Sequence, residues 1–379
     1  MGKRELLLIA GFVVFGTLVY QLTKTESAPG QQGFSLSRII DSVRREVRGR
    51  PARAELVTKA EQALKPATNE LRININQARV TVLGEDRADI ATELTATSDG
   101  VDDAEAQALA KEVQLVLGAA ADAVTATMKF PNPGTQRATL VLRVPSRLRV
   151  RIEPNSGRLE IQNVAAAEVM TSRGETIVKN IADRLTITHR GGDLVIEDVG
   201  SLRLETRGSD VKLSKVRGEA TLRLQAGDLR AEAIVGPLEI DSNDCDVTLE
   251  KLGDIKGVMR INAVSGQLRV RDLRSEARID GRGAEIDVRL DRPTALSIYN
   301  SNEPIEVTLP AGGVELDAVA TSGQITLAPE LQSQIKLANA EPDKDQTATG
   351  KINGGGPTIT LRATRADIRL MSASTEPGS

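Results

Sequence analysis

Aromatic residues are nearly missing from this 379-residue chain, which has no Trp, four Phe and two Tyr. Four of these six lie at or before Phe34, so only Phe130 and Tyr299 are left for all that follows. Sugar-binding and sugar-cleaving β-helices are expected to use aromatic side chains as large, rigid contact surfaces. The scarcity therefore counts against a carbohydrate-active enzyme.

Cysteine and histidine occur once each, as Cys245 and His189. This excludes an intramolecular disulfide and zinc sites built only from His and Cys. Both residues fall at turns, and we interpret His189 as an exposed polar residue. Cys245 is a weak candidate for a reactive thiol, because the adjacent Asp244 and Asp246 raise a thiol pKa. The net charge of −3 lacks the basic excess of a nucleic-acid-binding protein.

What the chain does contain is a turn that recurs ten times, each time followed by a short alternating apolar segment. Successive turns are spaced by about 18 residues, and such a period predicts stacked structural repeats. The turns lie at Gly157, Gly174, Gly192, Ser209, Gly227, Cys245, Gly266, Ala284, Glu303 and Gly323. The sequence therefore predicts an all-β fold, a single-stranded parallel β-helix or β-roll solenoid with coils of about 18 residues.

Alternation with period two indicates that one face of each segment is buried, and stacking coils about 4.8 Å apart joins the buried side chains into ladders. The first inward positions after the turns are Leu159, Thr176, Leu194, Val211, Leu229, Val247, Leu268, Ile286, Ile305 and Ile325. The next inward positions are Ile161, Val178, Ile196, Leu213, Ala231, Leu249, Val270, Val288, Val307 and Leu327. A second strand closes each coil with pairs such as Leu185–Ile187, Leu202–Leu204 and Leu222–Leu224.

Residues 6–23 form an uncharged apolar segment between the Lys3–Arg4 pair and Lys24. This length nearly crosses a hydrocarbon core as a helix, which predicts an uncleaved transmembrane anchor or a signal peptide. We favour the anchor, because signal peptides usually have shorter apolar regions. The positive residues before it predict a single-pass protein with the C-terminal body on the periplasmic or extracellular side.

Four segments are expected along the chain: a cytoplasmic stub and anchor at 1–23, a spacer with a basic amphipathic helix at 24–69, the solenoid at 70–370, and a disordered tail at 371–379. Ser35 can cap the basic helix, which either lies on anionic lipid or packs on the first coil. Within the solenoid we expect a helix from Asp102 to Lys111, a polar loop at 340–356, and a terminal coil from Thr358 to Leu370.

The segment order is an alternating hairpin (LRININQARVTVLG), a helix-containing insertion, the stretch LVLRVPSRLRVRIEPNSGRLEIQNV, and serial turns such as GDLVIEDV. This order resembles the bacterial adhesin-like β-strand repeat family, a widespread domain of unknown function, over roughly residues 70–370. The resemblance implies a right-handed β-helix or β-roll in bacteria, often tethered to the cell envelope. It implies no catalytic residues.

Five consecutive coils place an acid just after the turn, and arginines recur beside the same turns. The acids are Glu175, Asp193, Asp210, Asp228 and Asp246, and the arginines are Arg173, Arg190 and Arg207. One interpretation is a charged edge that binds calcium or an anionic polymer; the other is structural, with Asp bonding the turn backbone and Arg pairing between coils. The candidate interaction ladder is Arg173, Arg190, Arg207, Asp193, Asp210 and Asp228.

No metal or cofactor is expected from the sequence. The run from Asp241 to Asp246 lacks the Gly and Glu of a helix-loop-helix calcium site, and the calcium-binding nonapeptide of β-rolls is not repeated. The spacings also assemble no nucleophile with a base and no acid pair in one cleft. The chain is therefore expected not to be an enzyme.

These observations favour a membrane-tethered, non-enzymatic envelope β-solenoid that acts as an adhesin-like interaction or scaffold module. Its expected partners are the membrane, through residues 6–23, and an envelope protein or an anionic surface polymer, with no nucleic acid. Two other classes stay open. A self-assembling structural β-helix would be opposed by a capped C-terminal coil, and a carbohydrate-active enzyme would need two carboxylates about 5 to 9 Å apart in a cleft.

Overall fold

The structure is a computed structural model that describes residues 52–120, 122–339 and 345–373. The predicted anchor at 6–23, the basic helix near Ser35 and residues 374–379 of the predicted tail lie outside the described residues. Within the described ranges, no helix is long and apolar enough to cross a membrane.

Strands account for nearly all regular structure in the described residues. The first nine strands and the helix are β1 (Ala52–Ala63), β2 (Glu70–Asn74), β3 (Arg79–Glu85), β4 (Asp89–Gly100), α1 (Asp103–Glu112), β5 (Gln114–Ala119), β6 (Ala123–Lys129), β7 (Gln136–Pro145), β8 (Arg149–Asn155) and β9 (Leu159–Gln162). The central strands are β10 (Ala166–Thr171), β11 (Thr176–Val216), β12 (Ala220–Ile234), β13 (Leu238–Glu250), β14 (Met259–Leu273), β15 (Ala277–Arg282) and β16 (Glu285–Leu290). The last strands are β17 (Leu296–Ser301), β18 (Ile305–Leu309), β19 (Val314–Thr321), β20 (Ile325–Leu327), β21 (Ile335–Ala338), β22 (Gln346–Ile352), β23 (Thr358–Thr364) and β24 (Ile368–Ser372), with a 3₁₀ turn at Pro329–Leu331.

Strand β1 lies within segment 24–69, for which the sequence predicts a spacer and a helix, and it corrects that prediction for residues 52–63. The strand pairs with β4, where the Thr92 hydroxyl donates to the Ala60 carbonyl at 3.2 Å and Lys59 lies 3.2 Å from Glu93. Most of its side chains are exposed, so the segment lacks the apolar alternation by which a strand is recognised.

Two compact units can be distinguished. Of the described residues, unit 1 contains 52–56, Ala96–Val113 and Phe130–Arg137; unit 2 contains Val57–Thr95, the described part of Gln114–Lys129, and the described residues from Ala138 onward. In unit 1, Asp102 caps α1 by accepting the N–H of Glu105 at 2.9 Å, and Glu105 accepts the N–H of Val101 at 2.5 Å. The predicted helix is confirmed.

In unit 2, each coil has a first strand before the turn and a second strand after it, and successive coils pair in parallel. Among the first strands, Leu204 pairs with Leu222 and Leu222 with Ile240. Among the second strands, Val211 pairs with Leu229 and Leu229 with Val247. The all-β, solenoid-like fold predicted from the turn period is confirmed.

The inward ladders also lie where alternation places them. All ten first inward residues after the turns are 5% exposed or less, and the second ladder is buried as far as Val307, with Leu327 half-buried. One closing pair is shifted, because Leu202 pairs with Ala220 and Leu204 with Leu222. Leu224 therefore occupies a third inward position, beside Thr206 and Ser242.

A second periodic turn follows each second strand. In seven coils the residue before the corner has a positive φ of 49° to 57°, and these residues are Asn163, Asn180, Asp198, Lys215, Ala233, Lys251 and Asp272. Asn and Asp are the non-glycine residues that adopt this conformation most readily. The Asn180 amide donates to the Asn163 side-chain oxygen at 2.9 Å, which ties two of these corners together.

Both ends of the stack in unit 2 depart from chain order. The coil of β23 and β24 lies between the coil of β17 and β18 and that of β19 and β20, and it pairs in parallel with both. The prediction that Thr358–Leu370 forms the terminal coil is therefore wrong. The predicted loop at 340–356 contains β22, which covers the outer edge of β19 as an antiparallel strand. In the same way, the coil of β2 and β3 lies between that of β6 and β7 and that of β8 and β9.

Candidate functional site

A shallow groove of about 690 Å³ crosses the outer face of five first strands in unit 2. Because outward side chains two residues apart share this face, the groove has two parallel rows. The inner lane is Thr188, Glu205, Arg223, Asp241 and Asn262, and the donor lane is Arg190, Arg207, Gln225, Asn243 and Val264. We call this surface the ladder groove.

The inner lane has mixed charge, and some of its side chains bond to one another. The Asn262 amide donates to Asp241 Oδ1 at 2.7 Å, and Arg223 Nε lies 3.9 Å from Asp241 Oδ2. Asp241 is thus engaged from both neighbouring coils, whereas Glu205 makes no ion pair with any described residue.

The donor lane is different, because it carries no carboxylate on five successive coils. Arg190, Arg207, Gln225 and Asn243 are exposed, and their side chains make no hydrogen bond or ion pair with any residue that the structure describes. Val264, at the end of the lane, is 40% exposed. The lane therefore presents guanidinium and amide donors that are free to bind a ligand.

His189 lies beneath the groove and corrects the prediction that it is exposed. The residue is 0% exposed, since it occupies the third inward position of its strand after Leu185 and Ile187. Because the Gly192 carbonyl can only accept, Nε2 donates to it at 3.4 Å and Nδ1 accepts from the Thr171 hydroxyl at 2.5 Å. Burial lowers the pKa of His189 and favours this neutral form.

Of the six residues predicted as an interaction ladder, the structure brings two into the groove. Arg190 and Arg207 line the donor lane, whereas Arg173, Asp193, Asp210 and Asp228 are exposed but do not line it.

Among described residues, none of the six makes an ion pair. Charges do alternate between coils elsewhere: Glu197 lies 3.1 Å from Lys179 and 3.4 Å from Lys215, and the Lys179 ammonium, followed by that of Lys215, lowers the pKa of Glu197.

Neither metal nor thiol chemistry is assembled in the described part of the chain. No group of three or more His, Cys, Asp or Glu side chains there could hold a metal ion. Cys245 is buried, its thiol donates to the Asn243 carbonyl at 3.3 Å, and burial is the main cause of its raised pKa. The thiolate is therefore disfavoured.

A second cleft, of about 480 Å³, lies in unit 1 beside the start of α1. Of its two carboxylates, Glu105 is used in the helix cap, and Asp99 makes no side-chain hydrogen bond or ion pair with a described residue. Asn132 donates to Glu112 at 3.3 Å. Among the described residues, this cleft offers one free carboxylate and no cationic side chain, whereas the ladder groove presents a row of free donors, so the ladder groove is the better candidate site.

Sequence reasoning missed Arg223, Gln225, Asn243 and Asn262 as groove residues. The signal that could have found them is the same alternation that located the core. Residues at odd steps from the buried Leu and Ile positions must point outward, and the turn period carries each of them to the same place in the next coil, which aligns them in rows.

Several solved structures match this chain at low sequence identity and low TM-score. A candidate cell adhesion protein from Clostridium sporogenes is 9% identical, with a TM-score of 0.22, and the match covers 84% of this chain and 100% of that one. A candidate adhesin from Parabacteroides merdae is 12% identical, with a TM-score of 0.29 and coverage of 64% and 92%. A candidate lipid-binding protein from Parabacteroides distasonis is 12% identical, with a TM-score of 0.31 and coverage of 65% and 94%.

These matches carry no argument about fold or function, because all three TM-scores are below 0.5. No curated protein is detectably similar in sequence. A family profile, in contrast, matches residues 68–285, more than half of the chain. The chain belongs to the Toastrack DUF4097 family.

Proposed function

We propose that this protein is a membrane-tethered, non-enzymatic module of the bacterial cell envelope, with an adhesin-like binding role. The observation that carries the proposal is the ladder groove, a broad exposed surface whose donor lane has no partner among the described residues. A stack of coils holds the backbone positions of these side chains at a fixed spacing, so little backbone freedom is lost on binding. The tether is residues 6–23, and the body faces the periplasm or the exterior.

The groove supports binding better than catalysis. Its two carboxylates, Glu205 and Asp241, lie two coils apart, roughly 9 to 10 Å along the stack. That separation is at the upper limit for an inverting glycosidase. Asp241 is engaged by Asn262 and Arg223, and Glu205 is exposed to solvent, so the two carboxylates do not form an acid–base pair in one cleft.

Self-assembly by end-to-end stacking is opposed by the C-terminal end of unit 2. Strand β22 pairs antiparallel with β19, and the four-residue β21 pairs antiparallel with β22, so a further coil cannot pair in parallel with β19.

The groove is tested by binding of the detergent-solubilised full chain to isolated bacterial envelope particles. We expect the double variant Arg223→Ala with Asn243→Ala to bind about tenfold more weakly, equivalent to about 1.4 kcal/mol. The matched control is Arg230→Ala with Thr248→Ala, which changes neighbouring coils on the second-strand face. Equal binding by both double variants and the unaltered chain would refute the groove as the working surface.

The tether is tested separately, by cell fractionation and N-terminal sequencing of the mature product. We expect the full chain in the membrane fraction with its first residues intact. A soluble product that begins near Ala28 would show a cleaved signal peptide instead.

A further inference from the structure

We propose that the occupant of the ladder groove is a linear polyanion that lies along the stacking direction, with its anionic groups on the donor lane. The inference rests on the proposed function, since it names the ligand class of the same surface. The anionic groups of this polymer are phosphates or carboxylates.

The two lanes of the groove differ in charge. The donor lane has two arginines and two amides and no acid, and it continues to Arg282, which pairs in register with Val264. The inner lane directly beside it carries Glu205, Asp241 and one arginine, Arg223, which leaves it with a net negative charge. A polyanion is therefore attracted to the donor lane and repelled from the inner lane, which defines a path along the stack.

The two arginines of the donor lane repel each other. Arg190 and Arg207 occupy neighbouring coils of one lane, and like charges opposite each other in a sheet destabilise it. Some exposed charges of unit 2 are offset, as where Arg271 lies 2.6 Å from Asp287 and Arg217 lies 3.2 Å from Asp198. Lys212 and Arg230, which pair in register on the second-strand face, are a second pair of like charges without a described ion pair. A pair of exposed arginines without a described partner is what an oxyanion would stabilise.

The regular spacing of the donor lane suits a linear polymer. Equivalent side chains of successive coils repeat at about 4.8 Å, so Arg190 to Asn243 spans roughly 14 Å. A chain with regularly spaced oxyanions can engage several rungs at once, and linking weak contacts raises the overall affinity far above that of one contact. Guanidinium groups bind phosphate and carboxylate through two parallel hydrogen bonds, and amides donate to either group.

The experiment measures binding of the detergent-solubilised full chain to four probes by titration calorimetry. The probes are long-chain inorganic polyphosphate, polygalacturonate, inorganic phosphate and neutral dextran. We expect at least one polyanion to bind about a hundredfold more tightly than inorganic phosphate, with dextran inactive and affinity falling as salt increases. Polyphosphate alone would identify the ligand group as phosphate, and polygalacturonate alone would identify it as carboxylate.

The variant Arg190→Gln with Arg207→Gln is expected to lose at least tenfold in polyanion affinity. Its matched control, Arg230→Gln with Arg269→Gln, removes the same charge from exposed arginines on the second-strand face and should change affinity less than twofold. Equal loss in both variants would overturn the proposal, because binding would then follow net charge. Circular dichroism on both variants checks that each is folded.

Two further outcomes separate this inference from the proposed function. If neither polyanion binds while envelope particles still bind through the groove, the polyanion inference fails and the proposed function stands. If inorganic phosphate binds as tightly as the polymers, the groove holds isolated anions and the linear-polymer inference is overturned.

Discussion

Coil spacing in unit 2 depends on a glycine at the turn, and two glycines in adjacent coils allow a matched test. Gly227 has φ +109°, and a Cβ built there would lie 2.3 Å from the Ser209 carbonyl oxygen of the preceding coil. Gly208 also has a positive φ, +65°, but its Cβ would meet nothing within 4 Å. The next coil holds Ala226 at the position equivalent to Gly208, with φ 55°.

The two alanine substitutions should therefore differ in their effect on the free energy of unfolding. For Gly227→Ala, an unfavourable backbone conformation costs about 1 to 3 kcal/mol and overpacking against a backbone carbonyl about as much, giving about 2 to 6 kcal/mol. For Gly208→Ala, a single left-handed residue costs about 1 to 2 kcal/mol, and the stiffer unfolded chain returns about 0.4 to 1 kcal/mol. The net loss at Gly208 is therefore about 0 to 1.6 kcal/mol.

Urea unfolding of the detergent-solubilised full chain, followed by far-ultraviolet circular dichroism, measures both values. We expect the Gly227→Ala transition at clearly lower urea, with the Gly208→Ala transition close to that of the unaltered chain. Equal shifts would mean that the approach of Gly227 to Ser209 does not limit coil spacing. A Gly227→Ala chain as stable as the unaltered one would refute the reasoning outright.

Leu213→Asp should lower the melting temperature far more than Arg207→Asp, because Leu213 is 2% exposed and an unpaired buried carboxylate costs several kcal/mol, whereas an exposed charge shifts stability by less than about 0.5 kcal/mol; similar melting temperatures would contradict the inward ladder. The full chain should keep its β-type circular dichroism in chelator, since apolar ladders close each coil, and a large gain on adding calcium would contradict this. Burial lowers the pKa of His189 in the folded chain. Below the ordinary histidine pKa of about 6.5, the unfolded chain therefore binds more protons than the folded chain. The free energy of unfolding then falls as the pH drops toward the folded-state pKa, by at most about 1.4 kcal/mol per pH unit. Urea titrations from pH 8 to pH 4 should show this fall for the unaltered chain and a smaller one for His189→Gln.

The inward ladders could be predicted from the sequence because they depend on two short-range regularities, alternation within a strand and a turn spacing of about 18 residues. The same alternation also predicts the burial of His189. His189 follows Leu185 and Ile187 at steps of two, which places it inward although a turn comes next. The turn that follows His189 predicts an exposed side chain, but the periodicity of the strand places that side chain in the core.

The ends of the stack could not be predicted in the same way. Nothing local in Thr358–Leu370 distinguishes a coil at the edge from one between two others, because its alternation would fit either place. Strand order is set by which edges remain open after the whole chain has folded. The donor lane lies between these cases, since its rows follow from the period, but the lack of described partners for Arg190 and Arg207 depends on side-chain positions.

The displaced end coils limit how this architecture can change in length. A coil of the middle region contacts only its sequence neighbours, so duplication there adds one repeat and leaves every other pairing intact. At the C-terminal end, the coil of β23 and β24 must reach back across β19 to β22, and a repeat inserted after β18 would separate strands that now pair directly. The coil of β2 and β3 imposes the same restriction at the other end, since it joins segments that are far apart in the chain. Related proteins of different length should therefore gain or lose coils between β9 and β17, and their end arrangements should stay fixed.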